Sequence, residues 1–275
     1  MHTTETIFFW LALGLYSLGW LLLVAGANFR KPTLEKRGVQ IAVLALLAHT
    51  ACILTRWIVT GHGPVMRDYE NALAGSWVIA GLSLLLARKD KLTRPLLLVA
   101  IPAALVLLGY GVTRDAELEP LSPALKTPWL YVHVIFAWIS FGAFSAASCT
   151  ALVFLIKGRR GGNADEASLE MLDELQFRLI TYGFVAAAVM IASGAIWARL
   201  LWGSYWGWDP VETWSLASWL VYGLYIHFRL IFGWRMRRAA WFALFAVFPV
   251  IYSFWAVGSL MTSRHIFSIM DMLNK

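Results

Sequence analysis

Apolar residues run along this chain in long blocks, each closed by a short stretch of polar residues, glycine or proline. A hydrocarbon layer of about 30 Å takes about 20 mostly apolar residues per crossing, and a helix satisfies its own backbone there. The blocks predict eight spanning helices, at about 6–29, 38–61, 72–87, 95–112, 130–157, 179–202, 210–234 and 241–261. The third is the shortest. The first is too long for a signal peptide, follows no basic segment and has no small-residue cleavage site, so it is expected to stay in the mature protein. Residues 158–178 break the pattern: a glycine-rich turn precedes Leu169, Leu172 and Leu175, set among acids at helical spacing. That predicts an amphipathic cytoplasmic helix joined to the sixth span. No internal repeat is visible. The expected fold is an all-α polytopic membrane protein, a single integral membrane domain over 1–275.

Composition agrees with the pattern. Hydrophobic residues make up 60% of the 275 and charged residues 14%, with a mean hydropathy of +0.66, which excludes a water-soluble core and makes lipid the solvent. Charge adds orientation. Basic residues gather in alternate loops: Arg30, Lys31, Lys36 and Arg37; Arg88, Lys89, Lys91 and Arg94; Lys157, Arg159 and Arg160; Arg235, Arg237 and Arg238. By the positive-inside rule these loops are cytoplasmic, which puts both termini and the loops at 62–71, 113–129 and 202–214 on the extracytoplasmic side. The net charge of +7 then reports topology, and no nucleic acid is expected as a partner. Pro120, Pro123 and Pro128 predict an extended outer excursion before the fifth span. Cys52 and Cys149 stand alone inside spans, without Cys-x-x-Cys, and read as packing residues.

The outer loop WGSYWGWDPVETW holds four of the fifteen tryptophans: Trp202, Trp206, Trp208 and Trp214. Its second half has the chemistry of a helix start, with Asp209 as N-cap, Pro210 in the first helical position and Glu212 able to bond back to the cap. Trp214 then sits one turn into the seventh helix. A single tryptophan here would belong to an interfacial aromatic belt. Four gathered beside two glycines form a stiff apolar wall suited to a flat aromatic ligand.

Histidines narrow the choice of ligand. His133 lies near the outer start of the fifth span, and His265 follows the outer end of the eighth, both on the side of the tryptophan loop. Two neutral imidazoles on opposite faces of a porphyrin would hold haem iron axially while indoles pack the macrocycle. His227 lies about 17 residues into the seventh helix, roughly 25 Å by helical rise, where an ionisable group marks a functional site. His49, near the middle of the second span, is a second intramembrane candidate at a different depth. His2 and His62 are assigned to solvent.

These residues resemble the CcsA/ResC cytochrome c assembly proteins, members of the haem-handling group named for a tryptophan-rich WWD motif. The resemblance rests on eight spans, the outer WGSYWGWDPVETW before the penultimate span, and flanking outer histidines. It implies a subunit of a holocytochrome c synthase, or haem lyase, complex that moves haem b outward. There it presents haem to apocytochrome c for thioether attachment at Cys-x-x-Cys-His. It implies a CcsB/ResB-type membrane partner and a bacterial plasma membrane as the address, with a thylakoid as the alternative. Carried over by residue, His133 and His265 are the outer axial ligands, Trp202, Trp206, Trp208 and Asp209 belong to the WWD platform, and His227 is an intramembrane ligand. The stretch RDYENALAGSW, 67–77, resembles the family's Tyr-Glu segment, with Asn71 where serine is usual.

No protein nucleophile is evident, so positioning is the expected catalytic contribution. Arg56, Arg199 and Arg264 near the outer boundary are candidates for the haem propionates, and arginines there also snorkel without a ligand. Two other readings stand at this point. A CcmC-type haem-delivery protein would lack ligation and have six spans. A transporter or structural subunit would bind no haem.

Overall fold

A computed structural model describes residues 2–121, 125–159 and 165–261. Its eight long helices are α1 (Thr3–Asn28), α2 (Pro32–Thr60), α3 (Asp68–Lys89), α4 (Leu96–Val112), α5 (Pro128–Lys157), α6 (Glu166–Trp202), α7 (Pro210–Leu230) and α8 (Met236–Ile251). Each predicted span falls on one of them, and no strand occurs among the described residues. Six stretches are long and apolar enough to cross a membrane by themselves: α1, α2, α3, α5, α6, and α8 extended to Ala256. Helix α4 is shorter and apolar, whereas α7 has the length, 21 residues, but too many polar ones. Helix α3 is longer than its hydropathy alone predicts, because Asp68, Tyr69 and Glu70 are folded into its first turn.

The chain packs as two compact units, Met1–Leu121 and Ser122–Lys275. In the first, α1 to α4 share a core in which Tyr16, Ala42, Ala45, Cys52, Leu97 and Ile101 are fully enclosed. Small residues on α2 let α1 lie close, the usual arrangement where lipid supplies no hydrophobic drive between helices. The end of this unit that carries the α2–α3 loop is tied by one buried cation. Arg56 Nε donates to Glu70 Oε1 at 2.8 Å and Nη1 to Glu5 Oε1 at 3.2 Å, while Nη2 donates to the Glu117 carbonyl at 2.8 Å. The Tyr69 hydroxyl donates to Glu5 Oε1 at 3.0 Å, its ring lying 4.8 Å below the guanidinium. Glu70 Oε2 accepts from the amides of Val65 and Met66. The Tyr69-Glu70 pair that the sequence left without a role is therefore a brace, joining three helices to two loops.

Two expectations fail here. Arg56 is 2% exposed and its guanidinium is spent on Glu5 and Glu70, so it is no propionate partner. His62 is buried too, with Nδ1 2.6 Å from the Gly63 carbonyl and Nε2 2.8 Å from that of Glu119. The flanking glycines suggested an open turn, but the chain folds back and the 113–119 loop covers it.

In the second unit α5 is central: every residue from Ser140 to Ala151 is buried, the mark of a helix surrounded on all sides. Helix α6, with 37 residues, is about 55 Å long by helical rise. It exceeds the hydrocarbon thickness, so the predicted amphipathic segment is, from Glu166 onward, the first turns of the sixth span. Helix α7 turns its polar side inward: Ser218, Tyr222, Tyr225 and Arg229 are buried. Tyr222 stacks on Phe144 at 3.6 Å, Tyr225 accepts from Gln176 at 2.8 Å, and Arg229 pairs with Asp173 at 2.6 Å. In α8, Pro249 lacks the amide for its backbone bond, and the helix continues through a π-turn at Tyr252–Ala256.

Replacing Arg56 with methionine leaves Glu5 and Glu70 buried without their counter-charge. The expected cost is about 3–5 kcal/mol, read as a lowered thermal unfolding midpoint in detergent. A midpoint equal to the parent's would refute the brace.

Candidate functional site

The tryptophan loop is a helix stop followed at once by a helix start. Helix α6 ends at Trp202, and Gly203 takes the left-handed conformation, φ 78°, that closes it. Helix α7 begins at Pro210 with Asp209 as N-cap, its carboxylate accepting from the Val211 amide at 3.0 Å. Glu212 completes the capping box: Oε2 accepts from Asp209 N at 3.1 Å and from Gly207 N at 2.8 Å. The acid of the motif is thus a buried cap, 7% exposed. Between these anchors Trp208 is held at φ 55°, a backbone region that a bulky residue enters at about 1–3 kcal/mol. Its indole is 70% exposed and meets Trp206 edge to face at 5.7 Å.

Beside this loop runs a groove of about 380 Å³, counted to its open mouth, lined by His133, Met190, Gly194, Tyr205, Trp206 and Glu212 among others. His133 enters it from α5, half-buried. Its Nδ1 lies 2.9 Å from the Met190 carbonyl. A carbonyl only accepts, so Nδ1 carries the hydrogen and the lone pair of the neutral ring falls on Nε2. Trp197, buried in α6, lies nearly parallel to the imidazole, with centroids 6.2 Å apart, and packs on Trp202 at 5.4 Å. Trp214 leans the other way, onto Tyr252 of the α8 π-turn at 4.4 Å. At the rim, the Arg199 guanidinium sits 5.8 Å above the Tyr205 ring and donates to the Gly203 carbonyl.

The structure therefore brings His133 and Trp206 to one groove, sets Trp202, Trp208 and Asp209 around it, and places Trp214 against α8. His227 is elsewhere, 18 positions along α7 from Asp209 and about 27 Å away by helical rise. It is exposed on the apolar outer side of α7, with Phe232 at 5.5 Å. His49 is 1% exposed, sealed in the core of the first unit against Tyr16 at 6.0 Å; so enclosed a ring offers no face to a porphyrin. His265 and Arg264 lie outside the described residues. Sequence reasoning missed Tyr205, Trp197, Met190 and Gly194. Met190, Gly194 and Trp197 recur at helical spacing on α6 opposite His133, but nothing in the sequence alone pairs α5 with α6.

By fold and site, this is an all-helical, multi-pass membrane protein with an aromatic groove where two helices meet a capped loop. The chain belongs to the cytochrome c assembly protein family, whose pattern it matches over residues 65–265. It is 34% identical to the cytochrome c biogenesis protein CcsA of Synechococcus sp. (strain CC9311), over 84% of this chain and 88% of that protein. It is 30% identical to the CcsA of Gloeobacter violaceus, over 90% of each. Among solved structures, the cytochrome c haem lyase CcmF superposes with a TM-score of 0.74 at 18% identity, covering 97% of this chain and 48% of that one. The shared fold is thus about half of CcmF. Membership of this family places the protein in the assembly of c-type cytochromes.

If Asp209 serves as a cap, Asp209→Ser and Asp209→Asn keep the loop and its function. Asp209→Ala loses about 0.5–2 kcal/mol of helix stability, seen as faster limited proteolysis between 203 and 209. Equal loss of function in all three variants would show that the carboxylate has a chemical role instead.

Proposed function

We propose that the groove beside the tryptophan loop holds haem b, the substrate, on the extracytoplasmic face of a bacterial plasma membrane. There haem is presented to the Cys-x-x-Cys-His segment of an apocytochrome c. The observation that carries this reading is His133: the Met190 carbonyl fixes its tautomer, at the edge of an apolar groove walled by Trp206. Metal-ligating histidines are oriented in this way, by a hydrogen bond on the other ring nitrogen. His265 is the second axial ligand. Trp202, Trp206 and Trp208 cover the macrocycle, and the exposed indole of Trp208 on its strained backbone is a surface that a flat ligand would bury. Arg199 is available to a propionate.

His227 is an intramembrane ligand on the way in. Its exposure on the outer side of α7 suits a site completed by another protein, a CcsB/ResB-type subunit. In the attachment step each cysteine S–H adds across a haem vinyl group, sulfur to one carbon and hydrogen to the other, with no net oxidation. The protein's contribution is to hold the vinyl groups toward the thiols and keep water from them. The protein then acts as a subunit of a haem lyase complex.

Co-purified with its partner, the parent protein should show a haem Soret band, and His133→Ala combined with His265→Ala should abolish or shift it. A band unchanged in that variant overturns the outer ligand pair. His227→Ala should lower haem occupancy at the outer site; occupancy equal to the parent's rules out the route through the membrane. Single cysteines placed at 115, 205 and 236 should label from outside, outside and inside respectively, and any other order overturns the topology.

A further inference from the structure

Helices α5 and α6 meet at His133 and Gly194 with no side chain from α6 between them. A Cβ built on Gly194 would stand 2.6 Å from His133 Nδ1 and 3.0 Å from Cε1. One turn earlier on α6, the Met190 carbonyl accepts the Nδ1 hydrogen bond at 2.9 Å; the same oxygen accepts from the Ser193 hydroxyl at 3.1 Å. One turn later Trp197 lies along the imidazole, its plane inclined by only 25°. Positions 190, 194 and 197 share one side of a helix. Three consecutive contacts of α6 are thus made by a carbonyl, an absent side chain and an indole, and all three bear on one ring.

We propose that Gly194 is a positioning residue for haem, acting through His133. By withholding a side chain it lets the imidazole reach the Met190 carbonyl, and that bond both sets the tautomer and raises the donor strength of Nε2. This rests on His133 being a haem ligand. A methyl group at 194 cannot be absorbed by the backbone of α6; it pushes the imidazole off the carbonyl and out of line with Trp197. Without that bond Nε2 is a weaker donor, so ferric haem loses more than ferrous haem.

The test uses the full chain loaded with haem b. Gly194→Ala is expected to bind hemin about 10–100-fold more weakly, the range for losing such a supporting contact. Its haem midpoint potential should move in the positive direction, and added imidazole should restore the low-spin Soret band. Gly109→Ala, at a helix glycine with nothing within 4 Å, should match the parent throughout. If His133→Ala leaves the spectrum unchanged, the ligand assignment is wrong. If His133→Ala alters it while Gly194→Ala keeps the parent's affinity and potential, the positioning role alone is overturned. Should Gly194→Ala fail to accumulate in the membrane, the double variant Gly194→Ala, His133→Gly decides. Recovered protein with imidazole-dependent hemin binding supports the clash with the ring, and no recovery refutes it.

Discussion

Between Trp202 and Pro210 one helix must end and the next begin where lipid gives way to water, and every backbone amide freed there needs a partner. Glu212 supplies most of the answer with a single oxygen, accepting from Gly207 and Asp209, while Asp209 takes the amide of Val211. That lattice of three bonds lets a loop of glycines and large aromatics hold a shape. Without it Trp208 would have no reason to stay at φ 55°, and the groove beside His133 would lose its wall of Trp206 and Tyr205. The acidic residues of the tryptophan motif therefore act through the backbone, and the indoles are what they aim.

The other half of the site is set by helix contact. Helix α5 is buried throughout its middle and offers α6 mainly alanine, serine and glycine between Phe141 and Phe144 and beyond. Small residues let the two backbones approach, and His133 lies where that approach leaves room for a ring but not for a ring and a methyl group. Loop and helix pair are stabilised by different interactions, hydrogen bonds at the caps in one case and close packing in the other. Both converge on the same cleft.

Much of this was legible in the sequence because lipid imposes simple rules. Span length and apolar blocks located eight helices, and Asp209-Pro210-Val211-Glu212 announced a helix start by local chemistry alone. The misses share a cause. Arg56 and His62 look like boundary residues along the chain, yet each is buried by partners distant in sequence, Glu5 and the 113–119 loop, which no local pattern links to them. Tyr69 and Glu70 gained a role only once Arg56 was found between them. Trp197 and Gly194 were hidden for the same reason: an indole and a glycine in an apolar span are ordinary until the facing helix is known. Periodicity identifies elements, and pairing between elements is a property of the fold.

Helix α7 is inverted relative to its surroundings. It turns Leu220, Leu224 and Leu230 outward and keeps Tyr222, Tyr225 and Arg229 inside. Tyr222 and Tyr225 would face lipid in a lone helix, where polar groups without partners are costly, and Arg229 in its last turn would lack a counter-charge. Asp173, its partner, lies on α6, which the ribosome has already delivered. The seventh helix is therefore poorly suited to entering the membrane as an independent segment and well suited to entering against the sixth. The order of synthesis suits this packing: the helix capped by Asp209 and Glu212 finds the partners of its buried side, Gln176 and Asp173, on a helix made just before it.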